Sequence, residues 1–259
     1  MTDSIYQHFK HLHASRQPLL LPNAWDARSA VEFQRKGFAA VGTSSAAMAS
    51  MLGYTDGEQL PFAELRYVVA RVCASTTLPV TVDLEGGYSR DPKQIAAHVQ
   101  ELAELGVVGI NLEDSVTEAG CRTLLPLTVF AETVAYIRNF CTQRQITVFL
   151  NVRTDTYLLN VADRSQQTLA RLLAYEAAGA DGFFVPGLID LAEVRMLCQA
   201  TPLPLNVMCL PGLPDFAALA GAGVRRISMG NFLFEALVTR QQQLSDQIVQ
   251  SQNFASLFA

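Results

Sequence analysis

Thr81-Val82-Asp83-Leu84-Glu85-Gly86-Gly87-Tyr88 ends a short apolar run with two carboxylates and two glycines. The run over residues 78–82 predicts a buried strand, and the glycines would let the backbone approach a ligand closely. A carboxylate is costly to bury unless it has a partner. The two acids at the end of this strand therefore indicate a binding site.

A second apolar run further along the chain ends in acids in the same way. Residues 107–112 predict another short strand, and Glu113 and Asp114 follow it directly. Two adjacent strands that bring acids to the same end of a sheet would form one pocket of oxygen ligands. A hard divalent cation such as Mg²⁺ prefers such ligands. The sequence thus predicts that Asp83, Glu85 and Glu113 converge on one metal ion.

The bulk composition favours a small-molecule partner. The chain has 259 residues, half of them apolar, so it can form one large α/β domain or two small ones. Its net charge of −5 and pI near 5.4 argue against a nucleic acid or an anionic membrane as partner. The polar N-terminus lacks the core of a signal peptide, and the five cysteines show no CxxC spacing, so we expect a cytoplasmic protein with reduced thiols.

The placement of histidine and lysine argues against three common kinds of active site. None of the four histidines ends a predicted strand, which disfavours a zinc site and a Ser-His triad. None of the three lysines does so either, which disfavours a Schiff-base aldolase.

Eight predicted strands alternate with helical patterns along the chain. They lie at residues 18–21, 38–42, 78–82, 107–112, 146–152, 182–185, 205–208 and 225–228. Eight such units in a chain of this length are typical of a TIM-type barrel. We therefore predict an α/β fold, a single (β/α)8 barrel domain over residues 1–259, with a polar helix at its N-terminus and a last helix from about residue 231. An open doubly wound sheet is the alternative, although no G-x-G-x-x-G or Walker sequence follows a strand.

Polar residues gather at the carboxyl ends of the predicted strands, which form the active face of such a barrel. They are Asn23, Asp26, Ser44, Ser45, Asp83, Glu85, Glu113, Asp114, Arg153, Asp155, Asn206 and Ser228. This mixture suits a metal-bound oxyacid, because Arg153 can hold an oxyanion with two hydrogen bonds. Structural alternatives stay open: Arg153 can pair with Asp155, and the two serines can simply begin a helix. For Asn23 and Asp26 we favour capping of the first helix.

Several of these stretches together resemble the isocitrate lyase and phosphoenolpyruvate mutase superfamily, in its mutase-like branch. They are residues 23–27, 37–38, 43–45, 52–56, 82–88, 109–114, 151–155 and 205–208. The resemblance implies a (β/α)8 barrel whose last helix is exchanged between subunits, usually in a dimer of dimers. It also implies Mg²⁺-dependent making or breaking of a C–C or P–C bond beside an α-keto or α-hydroxy acid.

The resemblance also implies roles for individual residues. Asp83 would bind Mg²⁺, or Mn²⁺, directly, while Glu85 and Glu113 hold it through water. The loop formed by Ser44, Ser45 and Ala46 would bind the substrate carboxylate. Further substrate-side positions are Asp56, Arg153 and Asn206. Arg153 would also act in catalysis, by stabilising an enolate oxyanion together with the metal ion.

The loop after the fourth strand departs from the pattern of the superfamily. Counted without gaps from Glu113, Cys121 falls where lyases carry a catalytic cysteine that acts as acid or base. The basic pair before that cysteine is missing here, and only Arg122 remains to favour a thiolate. Cys121 is therefore either a catalytic acid/base or an incidental loop thiol. Gly187 stands where citrate-type lyases have Glu, which disfavours isocitrate and methylisocitrate as substrates.

The expected function is that of a Mg²⁺-dependent lyase that cleaves a C–C bond of a small α-keto or α-hydroxy carboxylic acid. Decarboxylation of the oxaloacetate type or retro-aldol cleavage, both through an enolate, would fit. The alternatives are a phosphoenolpyruvate mutase or phosphonopyruvate hydrolase, and a barrel that binds an α-keto acid without converting it. The apolar tail at residues 254–258 also predicts that the last helix packs on another subunit of a homotetramer.

Overall fold

The computed structural model describes residues 2–118 and 120–258, and most of its strands form one parallel sheet. The eleven strands are β1 (Leu19–Leu21), β2 (Asn23–Ala24), β3 (Val41–Thr43), β4 (Val80–Asp83), β5 (Gly109–Glu113), β6 (Ser115–Glu118), β7 (Cys121–Leu124), β8 (Phe149–Arg153), β9 (Gly182–Phe184), β10 (Leu205–Met208) and β11 (Arg226–Ser228). All except β6 and β7 belong to the parallel sheet, in the order β1-β11-β10-β9-β8-β5-β4-β3-β2.

Helices follow the strands of this sheet and cover its outer face. They are α1 (Thr2–Ala14), α2 (Ala27–Arg35), α3 (Ser45–Leu52), α4 (Phe62–Ser75), α5 (Pro92–Glu104), α6 (Leu127–Gln143), α7 (Arg164–Ala177), α8 (Leu191–Ala200), α9 (Phe216–Ala222) and α10 (Phe232–Ser251), with a 3₁₀ turn at Ala255–Leu257. One large apolar core fills the space between strands and helices.

The sheet closes at Pro22, the single residue between β1 and β2. Although β1 and β2 are consecutive in the chain, they lie at opposite ends of the strand order: β1 pairs with β11, and β2 pairs with β3. Proline has no amide hydrogen to donate, but the Pro22 carbonyl accepts a hydrogen bond from Gly42 N at 2.8 Å. The first predicted strand, residues 18–21, is β1, and β2 is an additional short strand that pairs at the other edge. The predicted (β/α)8 barrel is confirmed, with nine strand segments in place of eight.

The polar helix predicted at the N-terminus is α1, and it closes the amino-terminal end of the barrel. Phe9 is fully buried there, and the His13 ring stacks on Phe149 with 4.4 Å between ring centres. His13 Nδ1 lies 2.9 Å from the Phe9 carbonyl oxygen. In the described part of the chain, α1 therefore covers the end of the barrel opposite the carboxyl ends of the strands.

The barrel interior above α1 is polar. Asn151 Nδ2 donates hydrogen bonds to Asn111 Oδ1 at 2.9 Å and to Asn206 Oδ1 at 3.1 Å. Arg226, which is fully buried, donates from Nη2 to the same oxygen of Asn111 at 3.1 Å. This layer of side chains links β5, β8, β10 and β11 below the open end of the barrel.

Two segments differ from the sequence prediction. The small residues after β3, for which the resemblance implies a loop, begin α3 as the structural alternative for the two serines allowed, because Ser44 caps a run of Ala, Met and Leu that favours helix. The polar loop expected over residues 115–125 contains a hairpin instead, in which β6 and β7 pair antiparallel. Both segments lie at the carboxyl ends of the strands, where the predicted site is.

Two further observations concern the outside of the molecule. Within the described residues, no helix combines the length and the apolar character needed to cross a membrane. All twenty residues of α10 are described and none of them is buried. The exchange of the last helix between subunits stays a prediction for this single chain.

Candidate active site

Asp83, at the carboxyl end of β4, has one oxygen without a hydrogen-bond partner. Its Oδ2 accepts a hydrogen bond from Ser45 Oγ at 2.9 Å, and its backbone N–H donates to Thr43 Oγ1 at 3.0 Å. The other oxygen, Oδ1, is buried and has no donor among the described residues. Such an oxygen is unfavourable unless a cation or another donor approaches it. Asp83 therefore presents an open ligand position.

Glu85, two residues later, is held by hydrogen bonds on both oxygens. Its backbone lies in the left-handed region, with φ of 49°. The Tyr88 hydroxyl donates to Oε1 and the Glu58 backbone N–H donates to Oε2, both at 2.7 Å. Burial raises the pKa of Glu85 to about 7, although the hydrogen bond from Tyr88 opposes this shift. Glu85 is thus less free than Asp83 to contact an ion directly.

Glu113, at the end of β5, and Asp155, just after β8, share the guanidinium of Arg153. Arg153 Nη1 lies 2.8 Å from Glu113 Oε2. Nε and Nη2 donate to the two oxygens of Asp155 at 2.6 and 3.1 Å. Burial raises the pKa of Glu113 well above its ordinary value. Burial also acts to raise the pKa of Asp155, but Arg153, Ser115 and Arg122 together outweigh it, so that this pKa is lowered. The pairing with Asp155 that we allowed as a structural alternative for Arg153 is present.

Arg122 on β7 brings a second guanidinium to the same acids. Its Nη1 donates to Glu113 Oε1 at 3.1 Å and to Asp155 Oδ2 at 3.0 Å. Its Nη2 lies 3.5 Å from Asp56 Oδ2. On the opposite strand of the hairpin, Ser115 Oγ donates to Asp155 Oδ2 at 2.6 Å. We call this group of side chains at the open end of the barrel the mouth cluster: Asp83, Glu85, Glu113, Arg122, Arg153 and Asp155.

The sequence reasoning missed Arg122 as a site residue. Side chains alternate along β7: Cys121 and Thr123 are exposed, whereas Arg122 and Leu124 are half-buried. Cys121, the candidate acid/base, therefore faces solvent, while its neighbour reaches the acids. The alternation of side chains in a hairpin would have predicted the inward orientation of Arg122, but the polar sequence of this segment indicates a loop.

The predicted carboxylate-binding loop forms the first turn of α3. Ser44 is the N-cap residue, and its Oγ accepts a hydrogen bond from Ala47 N at 3.3 Å. Ser44 and Ser45 are buried, and Ala46 is half-buried. The hydrogen bond from Ser45 to Asp83 places this helix start beside the mouth cluster.

The remaining candidates have mainly structural contacts. Asn206 is fully buried, and its amide donates to Val207 O at 2.7 Å and to Ser228 Oγ at 3.1 Å, so no direct contact joins it to the mouth cluster in the described part of the chain. The capping expected for Asn23 is wrong: its Oδ1 accepts hydrogen bonds from the backbone N–H groups of Met229 and Gly230 instead. Asp26 forms a capping box with Ser29 at the start of α2, which confirms the capping expected there.

The acids of the mouth cluster do not form a set of direct metal ligands. Over residues 2–118 and 120–258, no group of three or more His, Cys, Asp or Glu side chains is arranged to hold a metal ion. Arg122 and Arg153 occupy the positions next to Glu113 and Asp155 instead. Asp83 Oδ1 remains as the open oxygen.

Comparison with known proteins identifies the family. Residues 9–249 match the family model for phosphoenolpyruvate phosphomutase. This chain belongs to the phosphoenolpyruvate phosphomutase family. The predicted resemblance to the wider superfamily, which also contains isocitrate lyase, is confirmed. Members of that superfamily are lyases and mutases that act on carboxylic acids.

Several known proteins are similar to this chain over most of its length. An uncharacterised protein of Mycobacterium tuberculosis is 38% identical over 228 residues, which cover 88% of this chain and 83% of that protein. The oxaloacetate decarboxylase of Rhodopseudomonas palustris is 30% identical over 195 residues, covering 72% of this chain and 65% of that enzyme. A solved structure from Burkholderia cenocepacia, named provisionally as a phosphonomutase, is 39% identical with a TM-score of 0.88, covering 94% of this chain and 100% of that one.

Proposed function

We propose that this chain is a Mg²⁺-dependent lyase that cleaves a C–C bond of a small α-keto or α-hydroxy carboxylic acid. Decarboxylation of the oxaloacetate type, or retro-aldol cleavage, is the reaction we favour. The observation that carries the proposal is the buried Asp83 Oδ1, a carboxylate oxygen without a donor at the mouth of the barrel. The similarity to an oxaloacetate decarboxylase supports the choice of reaction.

The residues at the mouth fit one Mg²⁺ ion. This ion usually keeps several water ligands and takes only one or two carboxylates from the protein. Direct binding by Asp83, with Glu85 and Glu113 acting through water, needs no set of three converging acids. Mn²⁺ accepts the same oxygen ligands. When bound, the ion would polarise the oxygen of the substrate on which negative charge develops.

The other residues of the mouth would bind and orient the acid. The first turn of α3, at Ser44, Ser45 and Ala46, offers backbone N–H groups and a hydroxyl to the substrate carboxylate. Arg153 would hold the oxyanion that develops as the bond breaks, because a buried guanidinium stabilises such charge strongly. We place Asp56 and Asn206 on the substrate side as well. Cys121 is the weaker candidate for an acid/base, since it is exposed on the outer face of the hairpin.

The test is a turnover assay on oxaloacetate, alkylmalates and phosphonopyruvate, with and without EDTA. We expect turnover of a C–C substrate that EDTA abolishes and that Mg²⁺ or Mn²⁺ restores. Chelator-insensitive turnover would count against the metal site. Turnover of phosphonopyruvate alone would favour the mutase or hydrolase alternative. The family match and the similar phosphonomutase structure support that alternative. Ligand binding without turnover of any of these acids would favour a non-catalytic barrel.

We also infer a homo-oligomer, a dimer of dimers, in the cytoplasm. None of the residues of α10 is buried, and the side chains of Phe254 and Phe258 beyond it are 65% and 87% exposed. So much apolar surface in a terminal segment fits an interface with another copy of the chain. All five cysteines are free, which agrees with a reducing compartment. Light scattering that finds only a monomer would contradict the oligomer.

A further inference from the structure

Arg226, on the last strand of the sheet, lies inside the barrel with most of its hydrogen-bonding capacity unused. The residue is only 1% exposed. Its Nη2 donates to Asn111 Oδ1 at 3.1 Å, whereas Nε and Nη1 have no acceptor among the described residues. A buried cation is costly unless an opposite charge compensates it. Burial lowers the pKa of Arg226 to about 9, so the guanidinium still carries its charge at neutral pH.

The contact with Asn111 brings this guanidinium close to Asp83. Asp83 and Asn111 are register partners on β4 and β5, so their side chains stand next to each other on the inner face of the sheet. Asp83 Oδ1 is buried and has no donor in the described part of the chain. The charge of Asp83 also acts against burial at Arg226, since it raises the pKa of that group. An anion and a cation that both lack hydrogen-bond partners are therefore one side chain apart.

Arg226 acts on Asp83 through its charge and not through a hydrogen bond. The only donor that reaches the Asp83 carboxylate among the described residues is Ser45, at Oδ2. The two arginines of the mouth cluster differ from Arg226, because they pair directly with acids of that cluster. Inside a protein, where the effective dielectric constant is low, an uncompensated charge acts strongly on its neighbours. Arg226 should therefore repel a cation bound at Asp83 and attract an anion bound to that cation.

We propose that Arg226 is a positioning residue whose fixed charge couples the binding of the metal ion to the binding of the acid. It weakens binding of the ion alone and strengthens binding of the acid to the ion-loaded site, so that the two ligands fill the site together. The inference rests on the proposed function and adds to it a role for a residue that contacts neither ligand. It also gives a reason for keeping a costly charge inside the barrel.

The experiment measures the two affinities separately in full-length variants that lack the charge, Arg226→Gln and Arg226→Met. Electron paramagnetic resonance of free Mn²⁺ gives the affinity for the ion alone, and calorimetry at saturating Mn²⁺ gives the affinity for oxalate. Removal of the charge should tighten binding of Mn²⁺ by about tenfold and weaken binding of oxalate by about tenfold, the effect of a unit charge near a partly buried site. Opposite shifts are decisive, because a distorted site would bind both ligands more weakly.

Two further variants separate the effect of the charge from other effects. Arg226→Lys keeps the charge, so both affinities should stay within about threefold of those of the unmodified chain. Arg144→Gln removes one positive charge at an exposed position after α6 and should leave both affinities unchanged, because water and salt screen a charge on the surface.

The outcomes distinguish a failure of this inference from a failure of the proposed function. Any pattern other than opposite shifts in a folded neutral variant would overturn the role of Arg226. Loss of the folded barrel in both neutral variants, seen by circular dichroism, would overturn it as well, because Arg226 would then serve the fold. If the unmodified chain binds neither Mn²⁺ nor oxalate, the proposed function itself fails.

Discussion

Glu113 and Asp114 are neighbours in the chain, yet they belong to two acidic regions of opposite character. Glu113 ends β5 and points into the mouth cluster, where acids outnumber arginines. Asp114 points the other way, into a buried group with Arg171 and Tyr175 that we call the buried triad. Arg171 Nη1 and the Tyr175 hydroxyl each donate to Asp114 Oδ2 at 2.8 Å. The Asp155 backbone N–H donates to its Oδ1 at 3.1 Å.

The difference separates an acid that stabilises the fold from acids that are kept for a ligand. Both oxygens of Asp114 have donors, and its guanidinium partner is itself buried. At the mouth, Asp83 has an oxygen with no donor in the described chain. Burial raises the pKa of Asp114 as it raises those of Glu85 and Glu113, so the contrast lies in the hydrogen bonds of the oxygens. A region in which charge is left uncompensated is unfavourable for stability and is therefore a good candidate for function.

The largest effect that would test this comparison is a loss of activity at Asp83. Asp83→Asn should lower turnover by about 10³-fold or more, because it removes the charge of the direct metal ligand. The free energy of unfolding of the metal-free protein should change less than in the corresponding variant of Asp114. Turnover is measured at saturating Mg²⁺, and stability by urea unfolding. Activity close to that of the unmodified chain would contradict the conclusion that Asp83 is kept for a ligand.

The next effect is a loss of stability at the buried triad. Asp114→Asn should lower the free energy of unfolding by about 3–5 kcal/mol, since Arg171 would remain buried without its counter-charge. Asp163→Asn is the matched control: Asp163 is exposed, its φ of 49° is tolerated by asparagine, and the free energy of unfolding should be unchanged. If Asp114→Asn unfolds like this control, the triad is not what stabilises this end of β5.

The pH dependence of stability should reveal the unfavourable charge at Glu85. In the metal-free protein its folded-state pKa is about 7, above the ordinary 4.5. The folded state then binds more protons at Glu85 between these pH values, so the contribution of Glu85 to stability is fully present below pH 4.5 and is lost as pH rises through 7. At about 1.4 kcal/mol for each pH unit, the loss amounts to about 3 kcal/mol.

Urea unfolding of the metal-free protein between pH 4.5 and 8 measures this slope. The Glu85→Gln variant should lack the corresponding part of it, whereas Glu132→Gln, at an exposed position of α6, should retain it. Identical slopes in the unmodified chain and Glu85→Gln would mean that the buried carboxylate does not titrate in this range.

The smallest effect concerns the guanidinium of Arg153 within the mouth cluster. Arg153→Lys should weaken oxalate binding by about tenfold in the presence of Mg²⁺, because lysine keeps the charge but cannot form the paired hydrogen bonds of the fork. Calorimetry measures the affinity of the variant and of the unmodified chain for oxalate. Unchanged affinity would assign Arg153 to its ion pairs with Glu113 and Asp155 alone.

Much of the barrel could be predicted from local sequence signals. Short apolar runs mark the strands, and acids placed directly after them, such as Asp83 and Glu113, mark the open end, because parallel strands present their carboxyl ends together. The additional strand β2 could not be predicted, since it depends on which neighbours β1 and β2 find in space. Pro22 signals an interruption of pairing but not a change of partner.

Only part of the candidate site could be predicted from the sequence, for a similar reason. Strand ends locate Asp83, Glu85, Glu113 and Arg153, but Arg122 reaches them from a hairpin whose pairing depends on tertiary contacts. The same argument from strand ends predicts Asn206 as a site residue. Its side chain lies in the hydrogen-bonded interior instead, because alternation along β10 turns it inward. Whether a side chain at a strand end faces the mouth or the interior is set by its height in the barrel, which a sequence does not state.

The junction at Pro22 has a consequence for how the molecule is made. Since β1 pairs with β11, residues about 200 positions apart must meet before the cylinder is complete, and such distant pairing is slow. During synthesis on the ribosome, Leu19–Leu21 would remain an unpaired apolar edge until the residues of β11 have been made. Chains that stop short of Arg226 should therefore aggregate or be degraded, however well their earlier units are formed.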